Sequence, residues 1–357
     1  MRIIKKIFKT IGMILLILIG LLLLALVGIF IYHRIKMPQD KEFLKEQGYY
    51  SPVSVGDHSL NLIDYGGATD EHRIIALGGL GPGFPLELRT LADELKKTSK
   101  VYYLARPGFD GSDDTDMEMT AAAVVEEYRS ALKNAGVEAP YVLMPHSYAN
   151  LPATYWVSKY PEEIEALISL DGSPAKELTP EQKQEAEEDI AEAGLSTVRT
   201  LIDLGIGDVA LRLFIEENPD YSEDEQRVSD IMQLLTLGSK AYASNMANFV
   251  ESTDSVWQMM QPNDVPKLYI NSSSGYRTVE EIKADEEDDF EGSDEERQKK
   301  YEEKLEDAAY YREHVLTPYT DKLGNCKVVD VPGDHWIHSE KPEKCAEVIT
   351  EFLNTLK

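Results

Sequence analysis

VLMPHSYANLPATYW, Val142 to Trp156, sets a serine between a β-rich apolar run and a small-residue, helix-forming run. A lone serine proves nothing, so the elements on either side decide how Ser147 is read. Working outward, SPVSVG and HSLNLIDYGG predict two adjacent strands with a turn near Gly56 and Asp57. RIIALGG is a short apolar run ending in glycine, and LELRTLADELKK after it has helical spacing. KVYYLARPG repeats the strand pattern, the helix AAAVVEEYRSALKNAG follows, and YVLMPHS leads into a helix through Tyr160 and then IEALISLDGSP. Repeated strand, loop and helix units of this size predict an α/β fold: a mainly parallel sheet with helices on both faces.

The alternation stops after Pro174, and to about Gln261 the pattern is helical. Thr179, Pro180 and Gln182 form one helix-start signature and Ser222 with Glu225 another, each a hydroxyl three residues before a side chain that reaches back to the cap. Strand signals resume at PKLYINSSSG and CKVVDVPGDH, and PEKCAEVITEFLNTL closes the chain as an amphipathic helix. The helical block is therefore an insertion between two strands, where a lid would sit.

The N-terminus is of another kind. RIIKKIFKT is basic, and the stretch from Ile11 to Tyr32 is apolar without a charge. About 20 such residues span a bilayer as a helix. A cleaved signal would have a shorter core and a small-residue cleavage site, and GIFIYHRIKMPQD offers none. A retained anchor is expected, with Arg2, Lys5, Lys6 and Lys9 favouring a cytoplasmic N-terminus and an extracellular catalytic domain. The expected organisation is a tip and anchor over residues 1–36, a juxtamembrane segment over 37–50, a core over 51–174, a helical lid over 175–262 and the rest of the core over 263–357.

The net charge of -28 argues against nucleic acid, since phosphates would be repelled. Much of that charge lies in EEIKADEEDDFEGSDEERQKKYEEKLED, which reads as a solvated helix or mobile loop without the regular spacing of a calcium loop. Only Cys326 and Cys345 are present, which excludes a disulfide scaffold and leaves one bridge or two free buried thiols. No histidine spacing suits a catalytic metal, and neither metal nor cofactor is expected.

Met144-Pro145-His146-Ser147-Tyr148-Ala149, after a strand and before a helix, resembles the nucleophile elbow of the α/β-hydrolase fold family, with P-H-S-Y-A in place of G-x-S-x-G. ALGGLGPG is similar to the family's oxyanion loop after the third strand, ARPGFDGSD to the loop after the next strand, and VPGDHWIHSEKPE to the catalytic-histidine loop. The resemblance runs from about Ser51 to the end. It implies Ser147 as nucleophile, the backbone amides of Leu80 and Tyr148 as oxyanion donors, and His335 as base.

A serine attacking a carbonyl needs a base near neutral pKa, which an imidazole supplies. His335 is preferred to His338 because it directly follows Gly333-Asp334. His146 is read as a packing residue, and His33, His58, His72 and His314 as surface histidines. In the family the acid usually follows the strand that PKLYINSSSG represents here, but Asn271, Ser272, Ser273, Ser274 and Gly275 offer no carboxylate. Asp171, at the end of the preceding strand, is the expected alternative, against a turn-forming Asp-Gly, Asp334 beside the histidine, or an acid of the run from Glu280 such as Asp285.

The expected function is a membrane-anchored serine hydrolase acting on a small-molecule ester, thioester or amide, esterase or lipase-like before anything else. An aminopeptidase-like hydrolase and a non-catalytic ligand-binding protein are the alternatives. Dehalogenases and epoxide hydrolases of this fold place Asp at the elbow, and Ser147 argues against them. The lid's apolar residues Leu201, Ile202, Leu204, Leu211, Leu213, Phe214 and Ile215 are expected in part to roof the pocket.

Overall fold

The computed structural model describes residues 2–356 apart from 70, 185–187, 189–194, 208, 211–217 and 286–291. β1 (Pro52–Ser54) and β2 (Ser59–Gly66) pair as a hairpin whose turn uses Gly56 at φ +124°, a conformation that costs glycine little. β3 (Arg73–Leu77), β4 (Lys100–Leu104), β5 (Tyr141–Pro145), β6 (Ile164–Leu170), β7 (Lys267–Asn271) and β8 (Cys326–Asp330) follow at the runs expected from sequence. The described strands form one sheet in the order β1-β2-β4-β3-β5-β6-β7-β8. β2 runs antiparallel to β1 and β4, and the remaining pairs are parallel.

Side-chain alternation along each strand divides the core into two layers. Ile74 and Ala76 of β3 point into a layer with Leu91 and Leu95 and with Val348, Ile349 and Phe352 of the closing helix Pro342–Asn354. Ile75 and Leu77 point the other way, to Val124, Tyr128 and Leu132 of the helix Ala121–Ala135 and Trp156 of Asn150–Lys159. Burying each of these large side chains contributes roughly 2 kcal/mol or more.

Between β6 and β7 the described residues include the helices Leu195–Asp203, Glu223–Leu237, Lys240–Ala247 and Phe249–Met259. Both expected capping boxes form: Thr179 with Gln182, and Ser222 with Glu225. A second helical excursion separates β7 from β8. The acidic run lies within it, as helices Val279–Asp285 and Asp294–Tyr311, the latter capped reciprocally by Ser293 and Glu296.

The first helix, α1, is a single element from Arg2 to Glu46, long and apolar enough to cross a membrane. It does not stop where the apolar run stops. Residues beyond Tyr32 stay helical through Pro38 because they pack: Leu44 is fully buried in the core, the Arg227 guanidinium stacks 3.8 Å from the Phe43 ring, and Asp40 is buried.

Two of the histidines assigned to the surface are buried instead. His33 lies under Gly205, and His72 has its Nδ1 2.7 Å from a Glu165 carboxylate oxygen. Cys326 and Cys345 are both free thiols.

Candidate active site

β5 ends at Pro145, and the His146 amide still donates to Leu77 O at 2.9 Å. Ser147 then turns the chain into a short 3-10 turn and the Asn150–Lys159 helix, at φ +51°. A non-glycine residue held there costs about 1–3 kcal/mol, so surrounding contacts must over-determine it. One is the Ser173 amide, which donates to Ser147 O at 2.9 Å. Another is Gly79: a Cβ on that residue would lie 2.8 Å from Ser147 Cβ, so only glycine lets the two backbones approach.

Asp171 directly follows β6, buried and at φ +42°. Its Oδ1 accepts the amides of Ser272 at 2.9 Å and Ser273 at 3.2 Å, and its Oδ2 lies 2.8 Å from His335 Nδ1. The loop after β7 that lacks a carboxylate thus holds the carboxylate of the neighbouring strand. Because that oxygen accepts, His335 carries a proton on Nδ1, which leaves Nε2 as the ring nitrogen free to face a reacting group. The His335 side chain is 35% exposed against 5% for Asp171, so one face of the ring remains open to a ligand. Asp334 turns away, with its amide donating to Glu340, and Asp285 pairs with Lys341.

His146 links the two sides of the site. Its Nε2–H donates to the His335 carbonyl at 2.8 Å, and its ring lies 4.7 Å from the His335 ring and 4.5 Å from His338. Burial drives both neighbours of His335 toward the neutral form: His146 is pushed well below the usual range and His338 to about 3. They stand beside His335 as buried, uncharged imidazole rings.

Tyr148 follows the serine in the chain, and Leu80 follows Gly79, whose backbone lies against Ser147. Tyr148 is the second residue of the 3-10 turn, where a helical amide lacks an intrahelical carbonyl. The orientation of Leu80 is set by Arg106, whose role the sequence reading missed. Arg106 is buried, and its guanidinium donates to Gly78 O and Gly79 O at 2.6 Å each. In a trans peptide C=O and N–H oppose each other, so fixing Gly79 O on Arg106 turns the Leu80 amide away from Arg106. The signal was an arginine directly after the apolar strand run KVYYLA.

A cavity of about 370 Å³ is lined by Ser173, whose amide holds Ser147 O, and by Pro174, Leu178, Phe249, Val250 and Tyr311 among others. Its roof is the Phe249–Met259 helix. Leu201, Ile202 and Leu204 do not line it: Ile202 is buried under Gly207 and Gly238, and the other two are exposed. Leu211, Leu213, Phe214 and Ile215 lie outside the described residues.

No protein-family model matches the chain. It is 32% identical over 177 residues to the uncharacterized protein YbdG of Bacillus subtilis (strain 168), covering 49% of this chain. The match spans only about half, 53%, of that protein's length. Among solved structures it is similar to Cfl2 from Burkholderia cenocepacia, with a TM-score of 0.54 at 16% identity over 85% of this chain and 95% of that one. It is also similar to the haloalkane dehalogenase DatA from Agrobacterium tumefaciens C58 (0.55, 13%, 86% and 96%) and to a probable hydrolytic enzyme from Pseudomonas aeruginosa PAO1 (0.51, 14%, 85% and 93%). The chain has the α/β-hydrolase fold.

Proposed function

We propose that the chain is a membrane-anchored serine hydrolase that cleaves an ester, thioester or amide through an acyl-enzyme. The observation that carries this reading is the 2.8 Å contact of Asp171 with His335, on the same strand-end surface as a serine held at positive φ. His335 Nε2 takes the Ser147 hydroxyl proton as Oγ attacks the acyl carbon. The tetrahedral oxygen collects its charge on the Leu80 and Tyr148 amides, each worth about 3 kcal/mol to the transition state. His335 then gives the proton to the departing alcohol, thiol or amine, and water repeats the sequence to free the acid. Asp171 holds the productive tautomer and stabilises the imidazolium. Ser147 rather than an aspartate at the elbow separates this chemistry from the dehalogenation named for some structural neighbours.

A fluorophosphonate probe tests the reading on the full chain in detergent. The wild type should label covalently and Ser147→Ala should not, while both keep the same melting curve. Labelling of Ser147→Ala at the wild-type rate would end the assignment. The anchor, with the hydrolase body outside the cell, predicts that protease added to intact cells digests residues beyond 50. Digestion only after permeabilisation would reverse the orientation.

A further inference from the structure

The face of α1 that touches the rest of the molecule begins inside the apolar run. Leu26 and Ile29 are half-buried among exposed neighbours, and the stripe continues at the three- and four-residue spacing of one helix face through His33, Lys36, Asp40 and Leu44. Its partners change along the way. Ile29 and His33 meet Gly205, where a Cβ would lie 2.8 Å from His33 Cβ and 2.9 Å from Ile29 O. Asp40 and Phe43 meet Arg227, and Leu44 enters the sheet core.

A straight α-helix is a ruler of 1.5 Å per residue, so the Gly205 turn lies about 20 Å nearer the apolar end than the core does. The helical insertion therefore stands between the sheet and whatever surrounds residues 11–32. Its exposed surface there mixes the apolar Val198, Leu201 and Leu204 with Thr197, Thr200 and Asp203. Outside α1, the exposed large apolar side chains among the described residues are Val198, Leu201, Leu204, Tyr310, Val328 and Trp336. Three of the six thus fall within the seven residues that precede Gly205. Val198 and Leu201 are one turn apart on the Leu195–Asp203 helix, and Ile202 beside them is buried.

We infer that the segment Val198 to Gly205 is a lipid-contacting surface: it docks on the bilayer that α1 crosses and holds Val198, Leu201 and Leu204 at the boundary of headgroups and acyl chains. The inference rests on the anchor reading of α1. Contact at Ile29 leaves the turn no other height, because the last residues of an apolar span of about 20 residues lie at that boundary. Arg34 follows on the helix, where a long cationic side chain near the end of a span reaches the headgroups. A large apolar side chain exposed to water in this position gains by entering the interface, about 25 cal/mol for each Å² removed from water.

Depth-dependent quenching tests the docking on the full chain reconstituted in phosphatidylcholine vesicles. Leu201→Trp and Leu204→Trp each add an emitter, read as the difference from the wild type in vesicles with and without acyl-brominated phosphatidylcholine. The expected result is at least about twofold quenching of the added emission, as for a side chain buried about 5–10 Å into the interface. Leu18→Trp, in the middle of the apolar run, separates the two readings. Quenching at position 18 without quenching at 201 and 204 overturns the docking and keeps the anchor. Absence of quenching at position 18 overturns both.

Discussion

The strand ends that carry Ser147, Asp171 and His335 differ from the helical insertion between β6 and β7 in what fixes their atoms. At the strand ends, backbone groups fix the side chains: Ser272 and Ser273 amides hold Asp171, the Ser173 amide holds Ser147 O, and Arg106 holds two successive carbonyls of the glycine loop. In the insertion, apolar packing is joined to a few hydrogen bonds, such as Thr236 Oγ1 accepting the Asp110 amide, and part of the apolar surface stays uncovered, as at Leu201 and Leu204. Hydrogen-bonded geometry tolerates little displacement, whereas apolar contacts can slide and repack. Changes at the strand ends should therefore act on the rate of the chemical step, and changes in the insertion on which substrate arrives.

Asp171→Asn probes that division most severely. It should lower kcat about a thousandfold or more with little change in KM, because it weakens an interaction that grows in the transition state. Steady-state kinetics on a soluble short-chain ester measures it, and near-normal turnover would move the acid elsewhere. Gly79→Ala comes next. Its Cβ would press on Ser147 at 2.8 Å, so kcat should fall about a hundredfold, the scale of one misplaced oxyanion donor. A Gly79→Ala enzyme as fast as the wild type would show that the glycine loop can give way as the insertion does.

On the insertion side, Phe249→Ala enlarges the roof of the 370 Å³ cavity. The ratio of kcat/KM for long over short acyl chains should shift about tenfold, the value of one or two methylenes in an apolar pocket. If instead kcat fell equally for all chain lengths, roof and chemistry would be coupled and the comparison would fail.

Glu87 gives the smallest effect and concerns stability. Burial beside His338 pushes its carboxyl up to about 7, so the folded protein keeps a proton that the unfolded chain releases near pH 4. The folded state binds more protons across that window, so stability falls as pH rises from about 4 to 7. Glu87→Gln removes the loss: its melting temperature should match the wild type at about pH 4 and exceed it by a few degrees at about pH 8. An equal difference at both pH values would rule out burial of the charge as the cause.

The sheet was legible because apolar runs of strand length alternate with helices of clear period, and each expected strand begins within a residue or two of its run. The pairing of Asp171 with His335 was foreseen only because the usual loop lacks a carboxylate. Its means of support was not foreseen, since backbone amides of Ser272 and Ser273 leave no mark in composition. Arg106 escaped for the opposite reason: a buried cation among apolar residues looks like an interruption until its carbonyl partners are known. Apolar content did not mark burial at Leu201 and Leu204, which are exposed, while Leu211, Leu213, Phe214 and Ile215 lie outside the described residues. His33 looked like a surface residue because its partner, Gly205, lies far along the chain and has no side chain to suggest contact.

Because α1 reaches Leu44 in the core with no linker between, the molecule has no slack. A disordered tether of about 14 residues, the length from His33 to Glu46, would let the hydrolase body roam within about 20 Å of its attachment, tilting freely. A helix of that length holds it at one height and one azimuth. On a membrane, such a body would keep its strand ends at a fixed distance from the bilayer, so the depth from which a substrate is reached would not vary.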